Sequence, residues 1–494
     1  MRYCFWVTIF VLVFKRSLLW AQLPDSSLGV RHRFAMPLNV WMIAGNPAGL
    51  PAASWPNYIR TGLSSDHRAG DFRRPQEPEV VRAGSFSTEG LRRLGDWAVS
   101  GRFRYRKHAD QNQRWGNTAD PLSGNPFVWA DEYGGDWQRD HIQTEVHAGR
   151  VINDRVTGGL SIRYDLGQGA RQNDPRPFYR FRDLSLRPSF LWQLSRRHWL
   201  GVWAEYRHTL EENQIGYYAI QTPQLYRLRG LGTFDRSPVV SSDRLVTGRW
   251  FGGSMQTGVR LDHNRHLTGM VSVHFGSENT GEGIAVERPN GRYEERRWEG
   301  KLAMDWMRSD GLRRLNLSAS RRSGDGTDPI FKAINVGFTR QEIQLEVLQN
   351  RQRTHSARQV SAQVGYTHQE AYNILNQTNW AIHQVHVRTN YLIRMPLRGR
   401  WVAFAEPVLA MVYAPHRSYQ ALRPTELTPL LVKPDFSVRS ANYGQLGGEA
   451  GVDCRLRNSW LRVAFEGQWE QPFQGIDDVT GHRSFSSLSI QFFH

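Results

Sequence analysis

Two pairs of histidines, His263 with His266 and His383 with His386, are the residues whose spacing first suggests chemistry, because neighbouring imidazoles are a common start to a transition-metal site. A metal site needs a third ligand, and neither pair brings one. The first pair falls in an expected tight turn, and the second would straddle the two faces of a strand. Cys4 and Cys454 are the two cysteines, so neither a zinc cluster nor a disulfide framework is available. Glu211-Glu212 and Glu294-Glu295 are adjacent carboxylates, but no Gly-x-Ser-x-Gly, GxGxxG or Walker motif accompanies them. No local arrangement therefore points to an enzyme, a cofactor or a nucleic-acid partner. What remains is a large population of charges: 63 Lys plus Arg against 46 acids, a formal +17, with only five lysines among the cations. The positive charge is almost all guanidinium, which favours fixed, bidentate pairing over solvated point charges.

Those charges have a regular address. Trp97, Val99, Gly101, Phe103 and Tyr105 alternate with Ser100, Arg102, Arg104 and Arg106, a two-residue period that makes a strand with one apolar and one polar face. The pattern recurs over Ile142–Ala148 and over Val156–Tyr164, across the turn signal Asn153-Asp154. It recurs again as pairs over Leu184–Leu194 with Leu200–Leu210, Phe251–Leu261 with Leu267–Phe275, Trp298–Trp306 with Leu315–Ala319, and Val385–Ile393 with Val402–Val412. Ile343–Val347 with Val360–Tyr366, Leu446–Cys454 with Leu461–Trp469, and the final Leu488–Phe492 complete the series. Opposite the apolar series stand Arg102, Arg104, Arg163, Arg187, Arg207, Arg260 and Arg388, together with Glu205, Glu299, Asp305, Glu346, Glu449, Asp453 and Glu466.

Short connections inside the pairs alternate with long ones between them, such as 107–140, 211–248 and 414–441, which are polar and rich in aromatics. Strands of about nine to eleven residues with short turns at one end and long loops at the other describe a transmembrane β-barrel rather than a soluble sandwich or propeller. With 39% apolar and 22% charged residues the chain is neither a helical membrane bundle nor a disordered polymer. The expected fold is all-β, a closed antiparallel barrel of sixteen to eighteen strands, or fourteen if the weaker pairs fail; the weak alternations near 59–69 and 80–90 decide between sixteen and eighteen. Apolar side chains would face lipid, aromatics near the strand ends would form girdles, and the charged face would line the lumen. The lining is then either a set of mutually paired charges or, through its excess arginine, an attractor for an anionic solute. Arginines in the short turns, Arg313, Arg398 and Arg400 among them, lie where lipid phosphates would be met.

The amino terminus reads as an export signal, residues 1–21: Met1-Arg2, an apolar run over 3–14, and a cut after Ala21. Twelve apolar residues make a helix of about 18 Å, short of the roughly 30 Å hydrocarbon core. Residues 22–56 do not alternate and are expected to form a short N-terminal hatch, with 57–494 forming the barrel.

Met42-Ile43-Ala44-Gly45-Asn46-Pro47-Ala48-Gly49-Leu50-Pro51, soon after the signal and ahead of a many-stranded barrel, resembles the long-chain fatty-acid and hydrophobic-compound transporters of the outer membrane, whose hatch carries an Asn-Pro-Ala motif. Gly70-Asp71-Phe72, Thr88-Glu89-Gly90-Leu91 and Gly101-Arg102-Phe103-Arg104-Tyr105 further resemble uncharacterised outer-membrane barrels of Bacteroidota. The resemblance implies a plugged lumen with Asn46, Pro47 and Ala48 as plug residues, and a Gram-negative outer membrane as the location. The arginine-rich inner face departs from that pattern.

Two functions follow as expectations. One is passage of a small apolar or amphipathic compound, or of an anionic one, through the plugged lumen. The other is an accessory barrel whose aromatic loops, Trp115–Trp137 and Tyr217–Phe234, hold a surface lipoprotein or receptor. A TonB-type receptor would need about 22 strands and a full plug domain.

Overall fold

The structure is a computed structural model that describes residues 45–52, 57–216, 223–239, 241–283, 288–353, 356–457, 459–474 and 479–494. The expected signal peptide and most of the expected hatch lie outside these residues. No described helix is long and apolar enough to cross a membrane.

Among the described residues eighteen strands form one sheet. In chain order they are β1 (Tyr58–Gly70), β2 (Val80–Leu94), β3 (Trp97–Gln113), β5 (Gly135–Asn153), β6 (Val156–Arg171), β7 (Phe178–Gln193), β8 (His198–Ile215), β11 (Ser242–Arg260) and β12 (Arg265–Glu282). They continue as β13 (Arg288–Arg308), β14 (Gly311–Thr327), β15 (Ile334–Arg353), β16 (Ser356–Asn373), β17 (Thr378–Pro396), β18 (Trp401–Ala421), β19 (Asn442–Arg455), β20 (Trp460–Gln474) and β21 (Arg483–Phe493). Each pairs antiparallel with its neighbours in this order, and β1 pairs with both β2 and β21, so the sheet closes on itself. Closure removes every open edge, the condition for a sheet surrounded by hydrocarbon. The count is the upper end of the expected range, because the weakly alternating stretches near 59–69 and 80–90 are β1 and β2.

Register turns the alternation into a belt. Leu302, Leu317, Leu345, Val364, Val387 and Met411 are successive cross-strand partners from β13 to β18 and form one outward row, each between 43% and 51% exposed. Their chain neighbours point inward. The strands run well past this belt, most of them 14 to 21 residues long, where nine to eleven were expected. Beyond the belt both faces meet water or protein, so apolar alternation stops while the hydrogen-bond ladder continues.

The tight turns have local causes. Asn153 Oδ1 accepts the backbone N–H of Arg155 and of Val156, each at 2.9 Å, and Asp262 Oδ1 accepts those of Asn264 (2.9 Å) and Arg265 (2.8 Å). A side chain that mimics a backbone turn in this way fixes where each hairpin reverses. Between β2 and β3 the two-residue turn Gly95-Asp96 needs φ +59° at its first position, which glycine adopts without strain.

At the opposite end the long connections turn inward. Strand β4 (Phe127–Ala130) comes from the β3–β5 connection, and β9 (Gln224–Arg229) and β10 (Phe234–Pro238) from the β8–β11 connection; together they make a three-stranded antiparallel sheet in the order β10-β9-β4. The β18–β19 connection adds α1 (Lys433–Arg439), preceded by a π turn over Thr428–Val432. Trp115, Val128, Ala130, Tyr226, Leu228, Leu427 and Leu431 pack into one cluster between these pieces. The loops Trp115–Trp137 and Tyr217–Phe234 were expected on the surface as a partner platform. Instead Trp115, Trp129, Trp137 and Tyr226 are all buried, since burial inside the mouth hides their apolar area better than solvent does; residues 217–222 lie outside the described part.

Candidate functional site

The lumen has three levels. At the level of the short turns, residues 45–51 lie against the inner wall of β5, β6, β7 and β11. Asn46 caps the 3-10 turn Pro47–Gly49: its Oδ1 accepts the N–H of Ala48 at 3.0 Å, and its Nδ2 donates to Gln256 Oε1 at 3.1 Å and to the carbonyl of Phe190 at 3.3 Å. The Ala48 N–H also donates to Ser189 Oγ at 3.1 Å. Asn46, Ala48 and Leu50 have no exposed surface. The wall is shaped to admit them. A Cβ on Gly159 would stand 2.3 Å from Ala48 N, and one on Gly149 would stand 2.7 Å from the Pro47 carbonyl oxygen. Asn fits the first position because its amide both accepts within the turn and donates to the wall, and Pro at the first helical position has no N–H to leave unsatisfied.

The middle level holds a cavity of about 400 Å³. It brings together Arg163, Arg187, Glu205 and Arg207 from the expected lining with Asp183, His274, Glu278, Glu295, Arg297 and Arg322. Glu205 is the hub of one half: it accepts from Arg187 Nη2 at 3.0 Å and Ser185 Oγ at 2.5 Å, and His274 Nδ1 is 3.3 Å away. The Arg187 guanidinium lies 4.4 Å from the Trp203 ring centre and donates to the Gly45 carbonyl at 3.2 Å, tying the cavity to the segment beneath it. Asp183 accepts from Arg207 at 2.7 Å, Asp165 from Arg163 Nε at 2.9 Å, and Glu295 from Arg322 at 2.7 Å. Five arginines and five carboxylates line the cavity, so its formal charge is balanced. Arg297 is the lining arginine without a carboxylate partner in the described structure.

The rest of the expected lining is distributed around the wall. Arg102 pairs with Glu89 at 3.1 Å, Glu299 with Lys301 at 2.7 Å, and Asp305 with Arg314 at 2.5 Å. Arg260 lies over the Trp199 ring near the short turns. Arg104 and Arg388 face inward next to the outward Tyr105 and Val387, and Glu449 stands opposite Glu406 in the β18–β19 ladder. None of these reaches the middle cavity. His383 and His386 do fall on opposite faces of β17; His383 sits instead in a cross-strand row with His368 and His416.

The third level is the inward-folded loop assembly, fastened to the wall by polar contacts. Arg171 Nη2 donates to Asp131 Oδ2 at 2.7 Å, with both side chains fully buried. Arg244 Nη2 donates to the Phe127 carbonyl at 2.5 Å, Arg227 Nε to Glu282 at 2.6 Å, and Arg322 Nη2 to the Ser123 carbonyl at 2.7 Å. Arg229 reaches Asp328 at 3.2 Å. Reading by alternation missed these residues because they lie above the apolar belt, where no outward hydrophobe marks their neighbours as inward. Asp183, next to Leu184, is the exception that the same period would have found.

A family model described as a family of unknown function, DUF6850, matches residues 47–494. The chain belongs to DUF6850. Its match starts at Pro47, inside the segment that lies on the inner wall. No curated protein matches the chain. Among solved structures it is similar to the ferric yersiniabactin uptake receptor FyuA from Yersinia pestis, at 11% identity over 89% of this chain and 80% of that one, with a TM-score of 0.44. It is likewise similar to the ferric citrate transporter FecA, at 8% identity over 88% and 78% with a TM-score of 0.44, and to a monoaromatic hydrocarbon channel, TodX, at 12% identity over 92% and 94% with a TM-score of 0.33. Their names are those of a receptor, a transporter and a channel for unlike solutes, and at such scores the likeness says nothing of the function of this DUF6850 chain.

Proposed function

We propose that this DUF6850 chain is a lid-gated passage for a small polar solute across the outer membrane of a Gram-negative bacterium. One observation carries the reading: the three-stranded sheet β4-β9-β10 and helix α1 stand inside the barrel mouth, fastened by discrete ion pairs, above a charge-balanced cavity. An eighteen-stranded barrel is wide enough for an aqueous channel unless something fills it, so the filling decides what passes. A lining of five arginines and five carboxylates favours a neutral or zwitterionic polar solute over the apolar or anionic one that the sequence suggested. In this reading residues 1–21 direct export, and Asn46, Pro47 and Ala48 are the hatch residues that narrow the short-turn end.

The test is conductance and liposome uptake of wild type beside a lid-loosened variant, Arg171→Ala with Arg244→Ala. Wild type is expected to stay closed to ions and to sugars of a few hundred daltons, and the variant to open roughly tenfold, as losing one or two kcal/mol of latch allows. A variant that folds as a barrel and conducts no more than wild type overturns the reading.

A second reading, a barrel that anchors a surface lipoprotein or receptor partner, draws on the outer tips. Ile330, Phe331, Ile374, Leu422 and Leu430, on three neighbouring connections at the end opposite the short turns, are each more than half exposed. Co-purification of a stoichiometric partner lost on Phe331→Ser with Leu422→Ser would favour it.

A further inference from the structure

Outside the lumen, at the short-turn end, the wall of β12–β15 carries a groove of about 880 Å³. Its floor is set by register. Arg265, Trp306, Arg313 and Gln349 are successive cross-strand partners and form one outward row; Leu267, Met304, Leu315 and Val347 form the outward row immediately above it, toward the belt. Arg308 and His263 flank the lower row. Arg314, the chain neighbour of Arg313, points the other way and is consumed by Asp305 inside the barrel.

The two rows differ in what they need. The upper one offers only hydrocarbon. In the lower one Arg265 is held by Asp262 at 2.5 Å, but Arg313, and Arg308 beside the row, have no carboxylate partner in the described structure, and Arg313 Nε is buried without a hydrogen bond. A buried guanidinium donor left without a partner is unfavourable, so this position calls for an acceptor. Trp306, between the two arginine strands, is the amphipathic ring expected where hydrocarbon meets headgroups.

We infer that this groove is a specific site for one anionic glycerophospholipid of the periplasmic leaflet, its phosphate diester held by Arg308 and Arg313 and its acyl chains lying along Leu315, Met304 and Val347. Charge complementarity selects this occupant: two unpaired guanidiniums directly below an apolar row match one phosphate directly below its chains, and arginine takes phosphate oxygens in a bidentate fork. A headgroup that adds a cation of its own, as choline does, meets Arg308 with like charge. The site shares no side chain with the lumenal cavity, so it stands whether or not the barrel conducts.

Native mass spectrometry of the full-length protein, delipidated in detergent and titrated with dioleoyl phosphatidylglycerol or dioleoyl phosphatidylcholine, tests this. Wild type is expected to saturate at one retained phosphatidylglycerol and to hold it at least tenfold more tightly than phosphatidylcholine. Arg308→Gln with Arg313→Gln should remove that preference, while Arg398→Gln with Arg400→Gln, in a different short turn, should keep it. Heat-modifiable gel mobility reports that each variant is still a closed barrel. Equal retention of the two lipids by wild type, or an unchanged preference in the Arg308/Arg313 variant, overturns the assignment.

Discussion

At the level of single residues, carboxylates in this protein act as junctions between segments far apart in sequence. Asp435, on α1, accepts from Arg439 Nε at 2.7 Å and from Arg74 Nε in the β1–β2 connection, so one side chain joins two long loops. Burial alone would raise its pKa; the guanidiniums of Arg439 and Arg74 more than reverse this and hold it below the usual carboxylate value. The sign follows from linkage. With a folded pKa below the unfolded one, the contribution is fully present above the unfolded value of about 3.9 and disappears only as pH falls through the depressed folded value. Pepsin, which works in acid, should therefore leave residues 71–79 intact at about pH 4 and begin to cut there only as pH falls through the depressed folded value. Asp435→Asn should be cut there faster than wild type at about pH 4, with the difference closing as the pH falls. Cleavage of wild type that is independent of pH would show that Asp435 does not fasten the loop.

At the level of elements, the fit of residues 45–51 to the wall depends on two glycines lacking a side chain. Gly159→Val would place its Cβ 2.3 Å from Ala48 N, and the inner wall of β6, backed by β5 and β7, yields less readily than a seven-residue segment. The expected outcome is a folded barrel with the segment displaced: proteolysis near residues 45–52 at least tenfold faster, with little change in unfolding. A variant as resistant as wild type would mean that the segment adapts in place. The strands themselves were legible in the sequence wherever one face meets lipid, because Leu184, Leu186 and Phe190 can alternate with Ser185, Arg187 and Ser189 only if the two faces see different surroundings. Asn46-Pro47-Ala48 was legible as a motif, though its partners Gln256 and Ser189 were not, since their proximity depends on the folded ring. The inward-folded loop sheet was illegible for the same reason: β4 and β9 are short, largely buried, and paired across 96 or more positions of chain, so no local period announces them.

At the level of the whole molecule, the outward belt and the inward charges make opposite demands on substitution. Leu317 lies within the outward Leu302–Met411 row, so Leu317→Arg should cost about 2–4 kcal/mol in a bilayer, as a cation deep in a lipid-facing wall does. Neighbouring Asn316, which points inward and donates to Glu346 at 2.8 Å, should tolerate Asn316→Gln with a far smaller loss. Unfolding by urea in lipid vesicles measures both; equal sensitivity at the two positions would contradict the assigned faces.

The ring closes where its first and last strands meet, and that junction is the thinnest part of the wall. β21 has eleven residues, the fewest of the eighteen barrel strands, and its ladder to β1 ends with a reciprocal pair of 2.9 Å bonds between Ile59 and His494. During insertion every other hairpin can zip to a neighbour already beside it in the chain, whereas this one must wait for two remote ends to find each other. The β1–β21 junction is thus the last seam to be sewn and the first to part, and amide exchange in the mature barrel should reveal it as a longitudinal line of fast positions running from one rim to the other.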